Sequence, residues 1–100
     1  MLKTKKNGYA ATILFIVFAL SASSVQAGVK YGMAYGGNRD YSGGDYANHK
    51  VANLDECMRK CAEDKKCWAF AYADSVKACA LKDRIGKQVR SPGMYGGHKL

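Results

Sequence analysis

The chain has 100 residues, with 16 Lys and Arg against 8 Asp and Glu, and a formal net charge of +8. This length predicts one small basic domain and excludes a large multidomain architecture for the stretch.

The N-terminal part differs in composition from the remainder. It has a basic start, an apolar run from Ala10 to Leu20 and a tail of small residues ending at Ala27, which is the layout of a cleavable secretory signal. The apolar run counts 11 residues, whereas about 20 are needed to cross the hydrocarbon core of a bilayer. We therefore expect residues 1–27 to be removed as a signal peptide. The mature chain, residues 28–100, is then secreted or periplasmic and has no stable membrane span.

Removal of this leader leaves thirteen basic and eight acidic residues, a net charge of +5 on 73 residues. Such an excess keeps a small secreted domain soluble, and it also favours anionic glycans, phospholipid headgroups or nucleic acid as partners. Because the protein is expected to leave the cytoplasm, nucleic acid is not an expected partner.

All four cysteines lie in the mature chain, at positions 57, 61, 67 and 79. A domain of this size buries a small apolar core, and an oxidising compartment preserves disulfides, so two disulfides are expected. The alternative is a zinc site with four cysteine ligands. The spacing C-x3-C-x5-C-x11-C lacks the two close CxxC pairs typical of such a site, and we therefore expect no metal.

The first half of the mature chain changes from a Gly- and Tyr-rich stretch to a helical pattern. Gly28 to Asn48 contains six glycines and four tyrosines, which predicts short extended pieces joined by tight turns. From Val51 to Lys66 an apolar stripe recurs at helical spacing, and Asn53 is placed to act as the N-cap. The stripe consists of Leu54, Cys57, Met58 and Cys61.

The second half predicts a β-hairpin followed by a tail. Small and aromatic residues alternate from Cys67 to Tyr72, a turn covers residues 74–76, and Ala78 to Lys82 forms the second strand. The tail from Gly86 is expected to be a last edge strand and a loose end. The fold class is thus α+β, with a single helix packed on a small antiparallel β-sheet.

Helix geometry restricts the disulfide pairing. Cβ atoms four residues apart on a helix are about 5–6 Å apart, whereas a disulfide needs about 3.5–4.5 Å. Cys57 and Cys61 are therefore expected to pair with cysteines of the hairpin rather than with each other. Nested pairing, Cys57–Cys79 and Cys61–Cys67, is favoured by an antiparallel helix over the first strand, and crossed pairing is the alternative.

This pairing assumes a particular register of the hairpin. With Ser75 at the centre of the turn, Cys79 lies opposite Ala71 and faces the helix together with Cys67. The three aromatic residues of the first strand then project from the opposite face, where they form a platform for sugar rings or pack under the N-terminal segment. These residues are Trp68, Phe70 and Tyr72.

Four motifs together resemble the PAN/apple domain family. They are an Asp-x-x-Gly-x-Asp-Tyr-like run from Asp40 to Tyr46, a Cys-x3-Cys helix, the segment Cys67 to Tyr72 and the Cys-x-Leu-Lys segment Cys79 to Lys82. The resemblance covers residues 40–83 and fits the short, two-disulfide version of the domain in a small secreted protein of bacterial type. It implies an α+β fold, the nested disulfides and binding to proteins or carbohydrates. Ala80 departs from the pattern, since many relatives have Trp there.

These features favour a binding module over an enzyme. The only histidines are His49 and His98, neither lies in a nucleophile motif, and all four thiols are assigned to disulfides. No cofactor is expected. The predicted function is a secreted or periplasmic non-catalytic binding module for a protein or anionic glycan ligand. The alternative is a structural or self-associating cell-envelope protein.

Two surfaces are candidates for ligand binding: the aromatic platform and a basic strip that follows the hairpin turn. The residues predicted to contact the ligand are Trp68, Tyr72, Lys82, Arg84, Lys87 and Arg90.

Overall fold

The computed structural model describes residues 27–100, so the predicted signal peptide lies outside the described residues except for Ala27. One helix and six strands form the domain. In chain order they are β1 (Ala27–Lys30), β2 (Met33–Tyr41), β3 (Asp45–Lys50), α1 (Leu54–Glu63), β4 (Ala69–Ala73), β5 (Ala78–Lys82) and β6 (Gln88–Lys99). The strands form one antiparallel sheet in the order β1-β2-β6-β4-β5-β3. The predicted α+β architecture, with a single helix on an antiparallel sheet, is confirmed.

Helix α1 begins at the predicted cap. Asn53 accepts a hydrogen bond from the backbone N–H of Glu56 (2.9 Å), and the Glu56 carboxylate accepts one from the N–H of Ala52 (2.8 Å). These bonds satisfy amide groups that have no partner within the helix. The helix is three residues shorter at each end than the predicted range, because Asn53 at its start and Asp64 at its end both have extended backbones. Its buried face carries Cys57, Met58 and Cys61.

The hairpin of β4 and β5 has a different register from the predicted one. Its turn covers four residues, 74–77, and Lys77 has a left-handed backbone conformation (φ 54°). Cys79 consequently pairs with Tyr72 rather than with Ala71. Since a one-residue shift exchanges the two faces of a strand, Phe70 and Tyr72 lie on the helix side of the sheet. The prediction that they project from the opposite face is wrong.

The C-terminal tail is the second correction to the predicted fold. β6 is a twelve-residue strand between β2 and β4, not an edge strand with a loose end. Its glycines allow close packing at Gly96 and Gly97 and a bend at Gly93. A Cβ on Gly97 would lie 2.5 Å from a ring carbon of Phe70, and Gly93 adopts a positive φ of 83°. Gly93 also donates its N–H to the side chain of Asn38 (3.2 Å), which likewise has a positive φ.

Beyond this point β2 and β6 continue as a folded arm, formed by residues 39–41 and 88–90. The arm lies against the sheet face opposite the helix. The Tyr41 ring packs edge to face on His98 at 5.5 Å, and a Cβ on Gly96 would lie 2.8 Å from the carbonyl oxygen of Arg39. Ala69 and Ala71, both buried, share this face of β4. Small residues in the sheet therefore allow the arm to approach this face closely.

The disulfides join Cys57 to Cys79 and Cys61 to Cys67, with Cα–Cα distances of 5.5 and 5.1 Å. This is the nested pairing. Both lie in the core between the helix and the sheet, where the largest buried side chains are Met33, Met58, Phe70 and Tyr72. Within residues 27–100, no helix is long and apolar enough to cross a membrane, and no cluster of His, Cys, Asp and Glu could hold a metal ion.

Candidate functional site

Lys82, predicted to contact ligand, is buried beneath the folded arm. Its side chain is 4% exposed, and its ammonium group lies 2.5 Å from a carboxylate oxygen of Asp45 and 3.6 Å from one of Asp40. The carbonyl oxygen of Gly43 is a further acceptor at 3.5 Å. These contacts neutralise a charge that would be costly to bury alone. Lys82 is therefore a structural residue, and its inclusion in the ligand-binding strip is corrected.

This ion cluster explains two of the motifs. Asp40 and Asp45 belong to the first motif and Lys82 ends the last one, so the chain brings together residues 37 to 42 positions apart. The sequence does contain one indication of this buried cation, namely the two aspartates on either side of the Gly43–Gly44 pair. Sequence reasoning missed it because a lysine in a basic stretch is usually solvated.

Tyr72 is also unsuited to contact a ligand. Its side chain is 1% exposed, and its hydroxyl donates to a carboxylate oxygen of Asp74 at 2.9 Å. Burial, and secondarily this hydrogen bond, raises the pKa of Tyr72. Phe70 is completely buried. Of the predicted aromatic platform, only Trp68 reaches the surface.

The other predicted basic residues are exposed and form a surface with Arg39. Lys87 accepts a hydrogen bond from the N–H of Ser42 on its carbonyl oxygen (2.9 Å), and the Arg84 guanidinium lies over Gly43. Both thus flank the loop that follows the arm. Arg90 pairs with Arg39 across the arm. We call the set Arg39, Arg84, Lys87 and Arg90 the basic strip.

The basic strip carries little compensating charge. Among residues 27–100, no carboxylate oxygen lies within 4.0 Å of Arg39, Lys87 or Arg90, and Arg84 has one contact, at 3.9 Å to Asp83. Like charges directly opposite on neighbouring strands destabilise a sheet. Arg39 and Arg90 occupy directly opposed positions of the arm, with the Arg39 guanidinium lying back against Gly36 and the Arg90 side chain exposed.

Trp68 lies directly before strand β4 and is 47% exposed. Its backbone is held on both sides: the N–H donates to the carbonyl of Lys82 (2.8 Å), and the carbonyl accepts from the N–H of Lys99 (2.9 Å). The Lys99 ammonium group lies 5.8 Å from the centre of the indole ring, within the range of a cation–π contact. The indole is thus presented from a rigid position beside a positive charge.

The segment before Trp68, residues 64–67, forms a tight loop around Asp64. The Asp64 carboxylate accepts hydrogen bonds from the hydroxyl of Tyr46 (2.7 Å) and the N–H of Lys66 (2.9 Å). Its carbonyl accepts from the N–H of Cys67 (3.0 Å) and from the Lys99 ammonium (2.9 Å). The hydroxyl of Tyr46, then the N–H of Lys66, lowers the pKa of Asp64, while burial raises the pKa of Tyr46. We call residues 64–67 the Asp64 loop.

A cleft of about 290 Å³ opens at the start of the helix, next to Asp55. Asp55 contacts the ammonium group of Lys30 (2.6 Å), the hydroxyl of Tyr31 (2.8 Å) and the guanidinium of Arg59 (3.2 Å). These partners, Lys30 first, lower the pKa of Asp55 to about 2. Tyr31 and Gly32 both have positive φ, as a two-residue hairpin turn requires. Because its polar groups are paired with one another, this cluster serves to hold the β1–β2 turn on the helix.

Neither histidine is arranged for nucleophilic catalysis among the described residues. His49 is exposed on β3, and the Nδ1 atom of His98 lies 2.9 Å from the carbonyl oxygen of Lys99. The ring of His98 packs against Tyr41.

Comparison with known proteins agrees with this architecture. A family model described as the PAN domain matches residues 34–97, a wider stretch than the 40–83 that the motifs indicated. No curated protein matches the chain. Domains of this family are in general modules that bind proteins or carbohydrates and are typically non-catalytic. Since the match spans more than half of the sequence, the chain belongs to the PAN domain family.

Proposed function

We propose that the protein is an exported, non-catalytic binding module for a protein or carbohydrate ligand, and that the ligand presents negative charge to the basic strip. The observation that carries this proposal is the pairing of Arg39 with Arg90, with no carboxylate of residues 27–100 within 4.0 Å of either. A guanidinium group can form two parallel hydrogen bonds with the oxygens of a carboxylate, sulfate or phosphate. Arg84 and Lys87 extend the surface.

The strip acts collectively rather than through one contact. Each exposed ion pair contributes about 0–1 kcal/mol, so several are needed for useful affinity. Salt screens such contacts over about 8 Å at physiological ionic strength. Binding is therefore expected to weaken steadily as the salt concentration rises.

A glycan array and a pull-down of acidic proteins, each at low and high salt, test the proposal. The strip variant combines Arg84→Ser, Lys87→Ser and Arg90→Ser. The control variant combines Lys50→Ser, Lys60→Ser and Lys77→Ser, which removes the same charge elsewhere. Loss of binding in the strip variant alone supports the proposal. Equal binding by both variants, with the fold intact by circular dichroism, contradicts it.

Export is the second part of the proposal. Two disulfides in a small domain are typical of an oxidising compartment, either the periplasm or the external medium. The bond after Ala27 is the predicted cleavage site, and Ala27 is the first residue of β1. Intact mass of the exported protein is expected to correspond to a chain that starts at Gly28. A mass that includes residues 1–27 would show that the leader is retained.

Self-association is the second candidate function. Among the strands of residues 27–100, β1 pairs only with β2, and all four of its residues are exposed, including Val29 at 68%. An unpaired edge of this kind can add a strand from another molecule. Sedimentation velocity over a hundredfold range of concentration would reveal a larger species if the protein self-associates.

A further inference from the structure

We propose that Trp68, Lys66 and Lys99 form a binding site for an acidic sugar unit of a polysaccharide. The indole stacks on the sugar ring, and the two ammonium groups contact its carboxylate or sulfate. This inference rests on the proposed binding function and adds to it the class of ligand and a second contact site.

The exposure of Trp68 is the first argument. It is the only tryptophan of the chain, and 47% of it remains exposed although its neighbour Phe70 is completely buried. Backbone hydrogen bonds to Lys82 and Lys99 fix the residue at the end of the sheet. A half-exposed aromatic ring on a fixed backbone offers the apolar face that the C–H groups of a sugar ring need.

The charges around the ring are the second argument. Lys99 lies beside the indole, and Lys66 precedes Trp68 by two residues with its ammonium group 4.6 Å from the centre of the Tyr46 ring. No carboxylate oxygen of the described residues lies within 4.0 Å of either ammonium group. The carboxylate of Asp64 is already engaged by Tyr46 and the N–H of Lys66. A ligand with its own negative charge therefore complements the site.

The rigidity of the Asp64 loop is the third argument. The Cys61–Cys67 disulfide joins residues six positions apart, and hydrogen bonds from Cys67 and Lys99 to the Asp64 carbonyl stabilise the segment between them. A loop that is already ordered loses little conformational entropy when a ligand binds. This short disulfide thus pre-orders the binding loop in addition to stabilising the fold.

The size of the site favours a sugar over a protein partner. A stable protein interface buries about 800 Å² per partner and has an apolar centre. Here one exposed indole ring lies 5.8 Å from the Lys99 ammonium group, and Lys66 is two residues away in the chain. This matches a single charged ring better than a broad apolar surface. The backbone N–H of Trp68 donates to the carbonyl of Lys82, and Arg84 lies two residues after Lys82 in the chain. A polymer that occupies the indole site could therefore continue towards the basic strip.

Fluorescence provides a direct readout, because all tryptophan emission of the mature chain comes from Trp68. The probes are a galacturonate hexamer, a sulfated glycosaminoglycan hexamer and a neutral glucose hexamer. We expect one or both acidic hexamers to change the emission and the neutral hexamer to leave it unchanged. A response to galacturonate alone identifies the carboxylate as the recognised group, and a response to the sulfated hexamer alone identifies the sulfate.

Variants measured by calorimetry test the roles of individual residues. Trp68→Ala is expected to weaken binding about tenfold or more, and Lys66→Ser or Lys99→Ser about threefold. Tyr31→Ala and Lys50→Ser remove another exposed ring and another exposed charge, and they are expected to bind like the wild type. Cys61→Ser/Cys67→Ser retains the longer disulfide and is expected to bind several-fold more weakly while keeping its circular dichroism spectrum.

The two proposals fail in different ways. If the strip variant loses binding while Trp68→Ala binds like the wild type and the emission does not respond, the indole site is wrong and the proposed function stands. If the neutral hexamer binds as tightly as the acidic ones, the acidic class is wrong. If no anionic ligand binds in either assay, both proposals are overturned.

Discussion

The ammonium group of Lys82 lies 2.5 Å from a carboxylate oxygen of Asp45, and the two partners differ sharply in burial. The lysine side chain is 4% exposed, whereas the aspartate side chain is 50% exposed. Asp40, 32% exposed, completes the cluster from the folded arm at 3.6 Å. The cost of breaking the cluster therefore depends on which partner is removed.

Asp45→Asn is expected to destabilise the protein more than Lys82→Met. Loss of the carboxylate leaves a buried ammonium group with one longer ionic contact, which costs about 1–3 kcal/mol. Loss of the lysine leaves two carboxylates that water can solvate, and methionine fills most of the space. Guanidinium unfolding at neutral pH measures both. The opposite order would contradict the assigned role of Lys82.

The two disulfides are expected to contribute unequally to stability. Cys57–Cys79 spans 22 residues and Cys61–Cys67 spans 6. In the chain-entropy account, these loops correspond to about 3 and about 2 kcal/mol. Unfolding of the two double Cys→Ser variants measures the difference. A larger loss of stability for Cys61→Ser/Cys67→Ser would contradict the chain-entropy account of the short disulfide.

Gly96→Ala is expected to displace the folded arm. An added Cβ would lie 2.8 Å from the carbonyl oxygen of Arg39, which is backbone and yields little, so we expect a loss of about 1–3 kcal/mol. Gly28→Ala is the matched control, because its Cβ would make an ordinary contact at 3.6 Å with Tyr35. Thermal unfolding of both variants provides the comparison. Equal stability of the Gly96→Ala and Gly28→Ala variants would contradict the position of the arm against Gly96.

Asp55 is expected to make stability sensitive to acid. Hydrogen bonds from Lys30 and Tyr31 lower its pKa from 3.8 to about 2 in the folded protein. The stabilisation is therefore complete above pH 3.8 and is lost as the pH falls towards about 2. Asp55→Asn is expected to have a lower Tm at neutral pH and a shallower decline of Tm between pH 4 and 2. Asp83→Asn controls for net charge, and identical slopes for Asp55→Asn and the wild type would contradict the linkage.

Local patterns in the sequence were sufficient for the helix, its cap and the nested disulfides. Asn53 and the stripe of Cys57, Met58 and Cys61 act within a few residues of one another, so their physics is readable from spacing. The disulfide pairing held even though the hairpin register was wrong. In the observed register Cys79 still faces the helix, because it shares that side with its partner Tyr72.

Features that depend on distant residues were not readable in this way. The burial of Lys82 requires the arm to fold back over β5, and the arm requires a bend at Asn38 and Gly93. Pro92 and the glycines of β6 look like a loose end because a sequence pattern does not show what lies across a sheet. For the same reason Arg39 was absent from the predicted strip, although its strand partner Arg90 was included.

The place of β6 in the sheet also determines when the domain can close. β6 is the last of the described strands in chain order, yet it is the strand that hydrogen-bonds β2 on one side and β4 on the other. Until Lys99 has left the ribosome or an export channel, the β1–β2 hairpin and the β4–β5 hairpin have no shared strand. Closure of the sheet therefore requires contacts between residues far apart in the chain, such as Met33 and Lys99, which favours a late step in folding.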